Sequence, residues 1–494
     1  MLMKALIKTS TILLLIVFNV ANSAPITSSI GGESKSINLS LPEAIYLSLV
    51  HNPNIKNAKL NSELQKLSLR VQQWQFAPHY NLQATYNTAR QTSNFQPFIS
   101  SSQYNVQPGI SLLTSIGTQV NLAMNNPITG HYNPSLSLQI TQPLIKGFGK
   151  PIVQAALNNA IDNQVIAELN IKYVIQNTIN NVINAYLDYF NVLQNFKINA
   201  EAVNRSKKSL VDTKLYIKAG HKAGNELITA KAELANAETN LENIKSQIVQ
   251  AKYNLLLTIG INPNANINFQ SLNIDKLIRK YSFPTLKEAI AGALASDIQF
   301  QTDKILLHGA DQRSLLIARD SARWQLNFTA NGSTGGSAGG GPNAGWNSIF
   351  NGVNQMQSVG LSLIVPIDDK AAELSIANAK VALQQAELAF EQEAWNKKIN
   401  ATNAWNNVRN NKSILKLAAN AEKLQVETYQ LNYEKYLHGL IDGLELQTAQ
   451  AQLRNSQQTL LNSRVAYLKS LATLDLIMGN PLRTWNINLN LGSQ

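Results

Sequence analysis

The sequence predicts a mainly α-helical chain with a membrane β-barrel portion, built as a tandem repeat. Three observations carry this expectation. Two 69-residue stretches, 151–219 and 370–438, contain no internal proline or glycine and carry heptad-spaced apolar residues. Four short segments alternate between apolar and polar residues, as strands with one apolar face do. The whole pattern occurs twice along the 494 residues.

Residues 1–23 carry Lys4 and Lys8, the apolar run Ile12 to Phe18 and then Ala21-Asn22-Ser23, as expected of an export signal cut before Ala24. After Ala24 no uncharged apolar run reaches the roughly 20 residues a membrane-spanning helix needs, so insertion is left to strands. The chain has no cysteine, which removes disulfides, thiolate metal sites and a lipid-acceptor thiol. Its net charge of +12 comes from scattered Lys and Arg, with pairs such as Lys207-Lys208 as the longest runs. Without a basic stripe, nucleic acid is not an expected partner. The six histidines lack His-Glu-x-x-His spacing, His79, His131 and His221 read as loop or turn residues, and no Ser or Cys nucleophile motif is present. No enzyme activity and no cofactor are expected.

A first repeat is expected over 24–263, a linker over 264–284, a second repeat over 285–479 and a tail over 480–494. Ser40 with Glu43, and Thr285 with Glu288, have capping-box spacing 245 residues apart, followed by matching Leu41/Leu286, Ala44/Ala289, Ile45/Ile290 and Leu49/Leu294. Helices are expected over Pro42 to Phe76 and Leu286 to Ser321. Strands are expected over 80–90 and 134–142 in the first repeat, and over 323–331 and 358–366 in the second. The connection 91–133 holds about 26 extra residues, and Val120, Leu122 and Met124 alternate within it, so it forms either an outer loop or an additional hairpin. Gly332 to Gly345 has the composition of an exposed flexible loop and lacks the Gly-Lys-Ser/Thr ending of a phosphate-binding loop.

The long helices 151–219 and 370–438 reverse through short turns into helices 226–259 and 444–478. The seam Leu227, Ala230, Leu234, Ala237, Leu241, Ile244 maps onto Leu446, Ala449, Leu453, Ser456, Leu460, Ser463 at an offset of 219. Each unit is thus one long rod flanked by two half-rods stacked end to end, with strands above them. Four strands cannot close a membrane barrel, which needs at least about eight, and lipid tolerates no open edge. The chain is expected to oligomerise into a tube with apolar strand faces on lipid and polar faces on a lumen.

Gln142-Pro143-Leu144-Ile145-Lys146-Gly147-Phe148-Gly149 before the first long helix, Val365-Pro366-Ile367 before the second, and the two tip turns resemble the TolC-like outer membrane efflux proteins over essentially all of the mature chain. The resemblance implies a homotrimer in the outer membrane of a Gram-negative bacterium, with a twelve-strand barrel against outer-membrane lipid and a periplasmic tunnel closed at its tip. It also implies docking to an inner-membrane transporter of RND, ABC or MFS type through a periplasmic adaptor, in efflux or type I secretion. The reading from another class is a periplasmic coiled-coil adaptor, or a structural tether without its own pore. Asp368 and Asp369 stand where glycines are common in the family.

The tip segments are Tyr216 to Lys231 and Tyr436 to Gln450. Tyr216 and Tyr436 precede the turn glycines Gly220 and Gly439, and Glu226 and Glu445 follow those glycines by six residues, with Asp442 nearby. The resemblance implies a gate and an acidic constriction here, although Ile441 and Thr448 replace the Arg and Asp that some members carry. A ring of six carboxylates from Glu226 and Glu445 in a trimer is then expected to favour cations. First-turn acids favoured by the helix dipole are the simpler role for both residues.

Overall fold

The computed structural model describes residues 37–93, 96–128, 133–265, 267–270, 272–281, 283–336 and 342–487. The expected export signal lies outside these residues.

Both capping boxes form. Glu43 Oε2 accepts from the Ser40 N–H at 2.7 Å to open α1 (Leu41–His51), and Glu288 Oε2 accepts from the Thr285 N–H at 2.8 Å to open α7 (Leu286–Ser296). The amphipathic stretches that follow are broken, not continuous as the sequence pattern suggests. Asn52 and Asp297, at the same 245-residue offset, each end one helix and cap the next, α2 (Pro53–Trp74) and α8 (Ile298–Leu306). Asn52 Oδ1 accepts from the Asn54 N–H at 2.9 Å, and Asp297 Oδ1 from the Phe300 N–H at 2.8 Å. Pro53 drives the first break by disfavouring helical backbone at the residue before it. At the second, the aspartate side chain competes for backbone N–H groups. A π turn (Leu307–Asp311) then leads into α9 (Gln312–Ser321).

Above the helices lies a six-stranded antiparallel sheet in the order β2 (His79–Ser93), β3 (Gln96–Leu113), β4 (Gln119–Ile128), β5 (Ser135–Pro143), β7 (Gln325–Gly335), β8 (Met356–Ile364). Among the described residues this sheet therefore has six strands, not the four expected. The connection 91–133 supplies β3 and β4, so the segments expected to pair directly, β2 and β5, are separated by two strands. Register keeps one face apolar from edge to edge: Tyr80 faces Ile110, Ile110 faces Leu122, Leu122 faces Leu138, and further along Ile140 faces Ala330, which faces Val359. The opposite face is Asn, Gln, Ser and Thr, with Asn105 Nδ2 and Gln107 Nε2 both donating to Asn125 Oδ1, at 2.6 and 2.8 Å.

The flexible-loop expectation for Gly332 to Gly345 is also corrected where the chain is described. β7 runs on through Gly335, and Pro342 starts a helix, α10 (Pro342–Phe350), because proline presets the first turn. α10 folds back on β7, burying Ile349, and the Thr334 hydroxyl donates to Ile349 O at 3.2 Å.

From the sheet, α3 (Lys150–Val153) bends at Gln154 into α4 (Ala155–Lys218), and the second repeat enters α11 (Lys370–Leu437) directly. Asp368 adopts φ +78, the backbone conformation glycines supply in the first repeat at Gly147 and Gly149. Asp is one of the few residues that enters this region by local hydrogen bonding. Asp369 Oδ1 meanwhile caps α11 by accepting from the Ala372 N–H at 2.9 Å.

The returning helices are α5 (Glu226–Ile259) and α12 (Gly443–Ile477). Each ends against the break in the preceding half-rod. A Cβ on Gly260 would sit 2.8 Å from His51 O and 2.9 Å from Asn52 Cα, and one on Gly479 would sit 2.5 Å from Ser296 Cβ. Contacts this close hold α5 under α2 and α12 under α7–α9 as two-part rods. The main core lies at this mid-height belt. Here β1 (Ile37–Leu39) pairs in parallel with β6 (Ile267–Phe269), and the buried Tyr186 hydroxyl donates to Gln270 O at 2.8 Å. The short helices α6 (Ile274–Ile278) and α13 (Pro481–Thr484) close the belt.

Two expected outcomes follow from the belt. Gly260→Ala and Gly220→Ala both force alanine into left-handed backbone, costing about 1–2 kcal/mol, but only Gly260 also meets backbone, adding roughly 1–3 kcal/mol. Thermal unfolding in mild detergent should show the larger loss for Gly260→Ala. The second concerns Asp475, whose carboxyl accepts from the Thr484 hydroxyl at 2.9 Å beside Lys280; burial pushes its pKa up to about 6. The folded state then holds a proton that the unfolded state has released, so stability falls as pH rises from about 4 to about 6, by up to about 3 kcal/mol. Asp475→Asn should flatten that part of the profile of melting temperature against pH.

Candidate functional site

Far from the sheet, both long helices end in the same hydrogen-bonded turn. The His221 N–H donates to Tyr216 O at 2.9 Å and the Gly220 N–H to Ile217 O at 3.0 Å; the Leu440 N–H donates to Lys435 O at 2.9 Å and the Gly439 N–H to Tyr436 O at 3.1 Å. Gly220 and Gly439 sit at φ +76 and +68, the left-handed closure that glycine permits without strain. The backbones match residue for residue at the 219 offset, and this places Tyr216 opposite Lys435 and Tyr436 opposite Ile217. The two tyrosines are therefore not equivalent. Tyr436 is buried, and its hydroxyl shares a 2.7 Å hydrogen bond with Thr213 Oγ1. Tyr216 is half-buried and meets the His221 ring edge-on at 6.3 Å.

The acids differ as well. Glu226 opens α5 and pairs with Lys222 Nζ at 3.1 Å. The Lys222 side chain is only 4% exposed, and its ammonium lies 3.2 Å from the centre of the Tyr436 ring. The Glu226 charge is thus offset within its own turn, and the ion pair is packed on the tyrosine of the other turn by a cation–π contact. Asp442 is the N-cap of α12, its Oδ1 accepting from the Glu445 N–H at 2.8 Å. Glu445 itself is exposed and makes no side-chain ion pair among the described residues.

The structure therefore brings Glu226 and Tyr436 together and leaves Tyr216, Gly439, Asp442 and Glu445 outside that cluster. It adds residues not singled out from sequence. One turn above the tip, the Tyr433 hydroxyl donates to Asp212 Oδ2 at 2.6 Å, and Lys208 Nζ lies 4.7 Å from the Tyr433 ring centre. Burial, with the Asp212 carboxylate against the hydroxyl, pushes the Tyr433 pKa up. Gln447 Nε2 donates to Glu233 Oε2 at 2.6 Å, tying α12 to α5. Of these, only Lys222–Glu226 had a local signal, the i,i+4 spacing of opposite charges.

A sheet apolar on one side, two rods about 100 Å long and a tied helical tip in one chain match a known family. Residues 44–260 and 310–480 match the model of the outer membrane efflux proteins. The chain belongs to this family. No curated protein sequence matches it. Among solved structures it is similar to the outer membrane protein VceC of Vibrio cholerae, at 16% identity, 89% of this chain, 96% of that one and a TM-score of 0.67. It is also similar to the outer membrane channel CmeC of Campylobacter jejuni, at 13% identity, 92% of this chain, 90% of that one and a TM-score of 0.66. For the outer membrane channel MtrE of Neisseria gonorrhoeae the values are 16%, 90%, 89% and 0.64. At these identities the likeness establishes the shared TolC-like fold.

In this outer membrane efflux protein no described helix is long and apolar enough to cross a membrane. The family's fold places the apolar-faced sheet in the outer membrane and the rods in the periplasm. The tip then lies at the periplasmic end, where Asp212–Tyr433 and Thr213–Tyr436 clasp the two helical hairpins. Tyr433→Phe leaves the Asp212 carboxylate without its donor and should loosen the clasp by about 1–3 kcal/mol. Hydrogen exchange around 208–218 and 428–438 should accelerate in this variant while the belt around Tyr186 remains unchanged.

Proposed function

We propose that three copies of this outer membrane efflux protein form a channel that carries cargo from an inner-membrane transporter, of RND, ABC or MFS type, through a periplasmic adaptor to the cell exterior. One observation carries this reading. A sheet with one largely apolar face is continuous with helices long enough to form a periplasmic conduit, and both lateral flanks of the single chain are bare. Leu60, Leu64, Leu67, Val71 and Trp74 make an exposed seam along α2, while Leu374, Val381, Leu388 and Trp395 recur every seven residues, exposed, along α11. These are surfaces for neighbouring copies. An adaptor or tether without a pore has no use for the membrane sheet.

The tip is proposed as the gate. The expected ring of six equivalent acids is revised by the Lys222–Glu226 pair, because a carboxylate beside its own ammonium contributes little net field. Glu445 supplies the uncompensated charge. In a reconstituted channel under a salt gradient, Glu445→Gln should lower the cation-to-anion permeability ratio by about two-fold or more, Glu226→Gln should change it less, and Lys222→Gln should raise it. Equal, negligible shifts for all three, with weakened helix tips, would assign these residues to capping alone.

A further inference from the structure

The two edge strands of the sheet, β2 and β8, have no partner among the described residues. Each continues into a helix with a bare apolar seam. α2 leads up into β2 on one flank, and β8 leads down into α11 on the other. With the β2–β3 hairpin set aside, the sheet would end on β4, but β4 is already paired with β3, from Leu113↔Gln119 to Tyr104↔Ile128. The β2–β3 hairpin also carries the same apolar face as the rest of the sheet, and the Tyr86 and Tyr104 rings pack on it at 4.6 Å. Held outside the barrel, in water, that face would be exposed.

Building on the trimeric channel reading, we propose that the barrel has eighteen strands, closed by β8 of each copy pairing antiparallel with β2 of the next, and that the exit is as wide as the helical conduit beneath it. An even number of strands makes the polarity correct, since β2 and β8 run in opposite directions and a rotated copy presents β2 to β8. The dimensions agree independently. Each chain contributes four rods: α2 with α5, α4, α7–α9 with α12, and α11. Twelve rods packed roughly 9–10 Å apart span a circumference of about 110 Å. Strands about 4.8 Å apart and tilted by a typical angle of about 40° occupy about 6.3 Å each around a barrel, so eighteen also span about 110 Å. Six strands per chain let sheet and helices share one bore without a narrowing at the junction.

The lining gives the exit its chemical character. In sequence, the six strands contain a single charged residue, Arg90. Wide and nearly free of charge, the exit suits bulky polar cargo such as peptides as readily as small molecules, and it imposes no charge preference of its own.

The absence of cysteine makes the test clean. Val359→Cys or Leu361→Cys on β8 is combined with Leu82→Cys or Ala84→Cys on β2 and, separately, with Val120→Cys or Leu122→Cys on β4, all on the apolar face. Full-length protein in outer membranes is then oxidised. The β8–β2 combinations are expected to give covalent dimers and trimers, and the β8–β4 combinations none. Trimers that remain intact by light scattering in mild detergent but show no β8–β2 link in any combination, or that link through β4, overturn the eighteen-strand barrel and leave the channel reading standing. A monomer, or protein recovered only from the soluble periplasm, overturns both.

Discussion

A bilayer offers no hydrogen bonds to a strand edge, and this constraint organises the rest of the molecule. The sheet of one chain has two such edges among the described residues, and in the proposed trimer neighbouring copies cover them. The exposed apolar seams on α2 and α11 lie on the same flanks as the open edges, where the proposed trimer would cover them. The main core of the single chain is the mid-height belt, where α1, the middle of α4 and the end of α12 bury a shared cluster around Tyr186.

Duplication reproduced backbone geometry more faithfully than side chains. The breaks at Asn52 and Asp297, the abutments at Gly260 and Gly479, and the turns at Gly220 and Gly439 recur at matching positions, and the two turns close with the same backbone hydrogen bonds. Around them the chemistry diverged. Asp368 holds a glycine-like conformation in one repeat only, and of the two tip acids one is neutralised by a lysine while the other has no ion pair among the described residues. The tip of each chain therefore presents two similar shapes with different charge.

Where sequence and structure agree, the signal was local and periodic. The long helices and the two turns were legible because Pro, Gly and heptad spacing act within a few residues. β3 was hidden because its alternation is interrupted by Ser100-Ser101-Ser102 and by Pro108-Gly109, which leaves little apolar periodicity to detect. The helix breaks escaped notice because amphipathic spacing continues across Asn52 and Asp297 even though the backbone does not. The tip clasp was out of reach for a different reason: Asp212 and Tyr433 are 221 residues apart, and nothing in either neighbourhood announces the other. Glu226 and Glu445 were legible as first-turn acids of the returning helices, but their difference depends on where the Lys222 side chain folds.

The end-to-end stacking of the rods also constrains how this protein can change length. Four parallel columns per chain begin at the same sheet and finish at the same tip, and two of them are jointed at the belt. Adding one heptad to α4 lengthens that column by about 10.5 Å, and the seam stays in phase only if its neighbours gain the same length at the same height. Insertions in the periplasmic part must therefore arrive as matched sets, while the strand-connecting segments above can grow independently, as the β3–β4 insertion did. The distance the conduit reaches below the membrane is thus a collective property, and single insertions are free only at its outer rim.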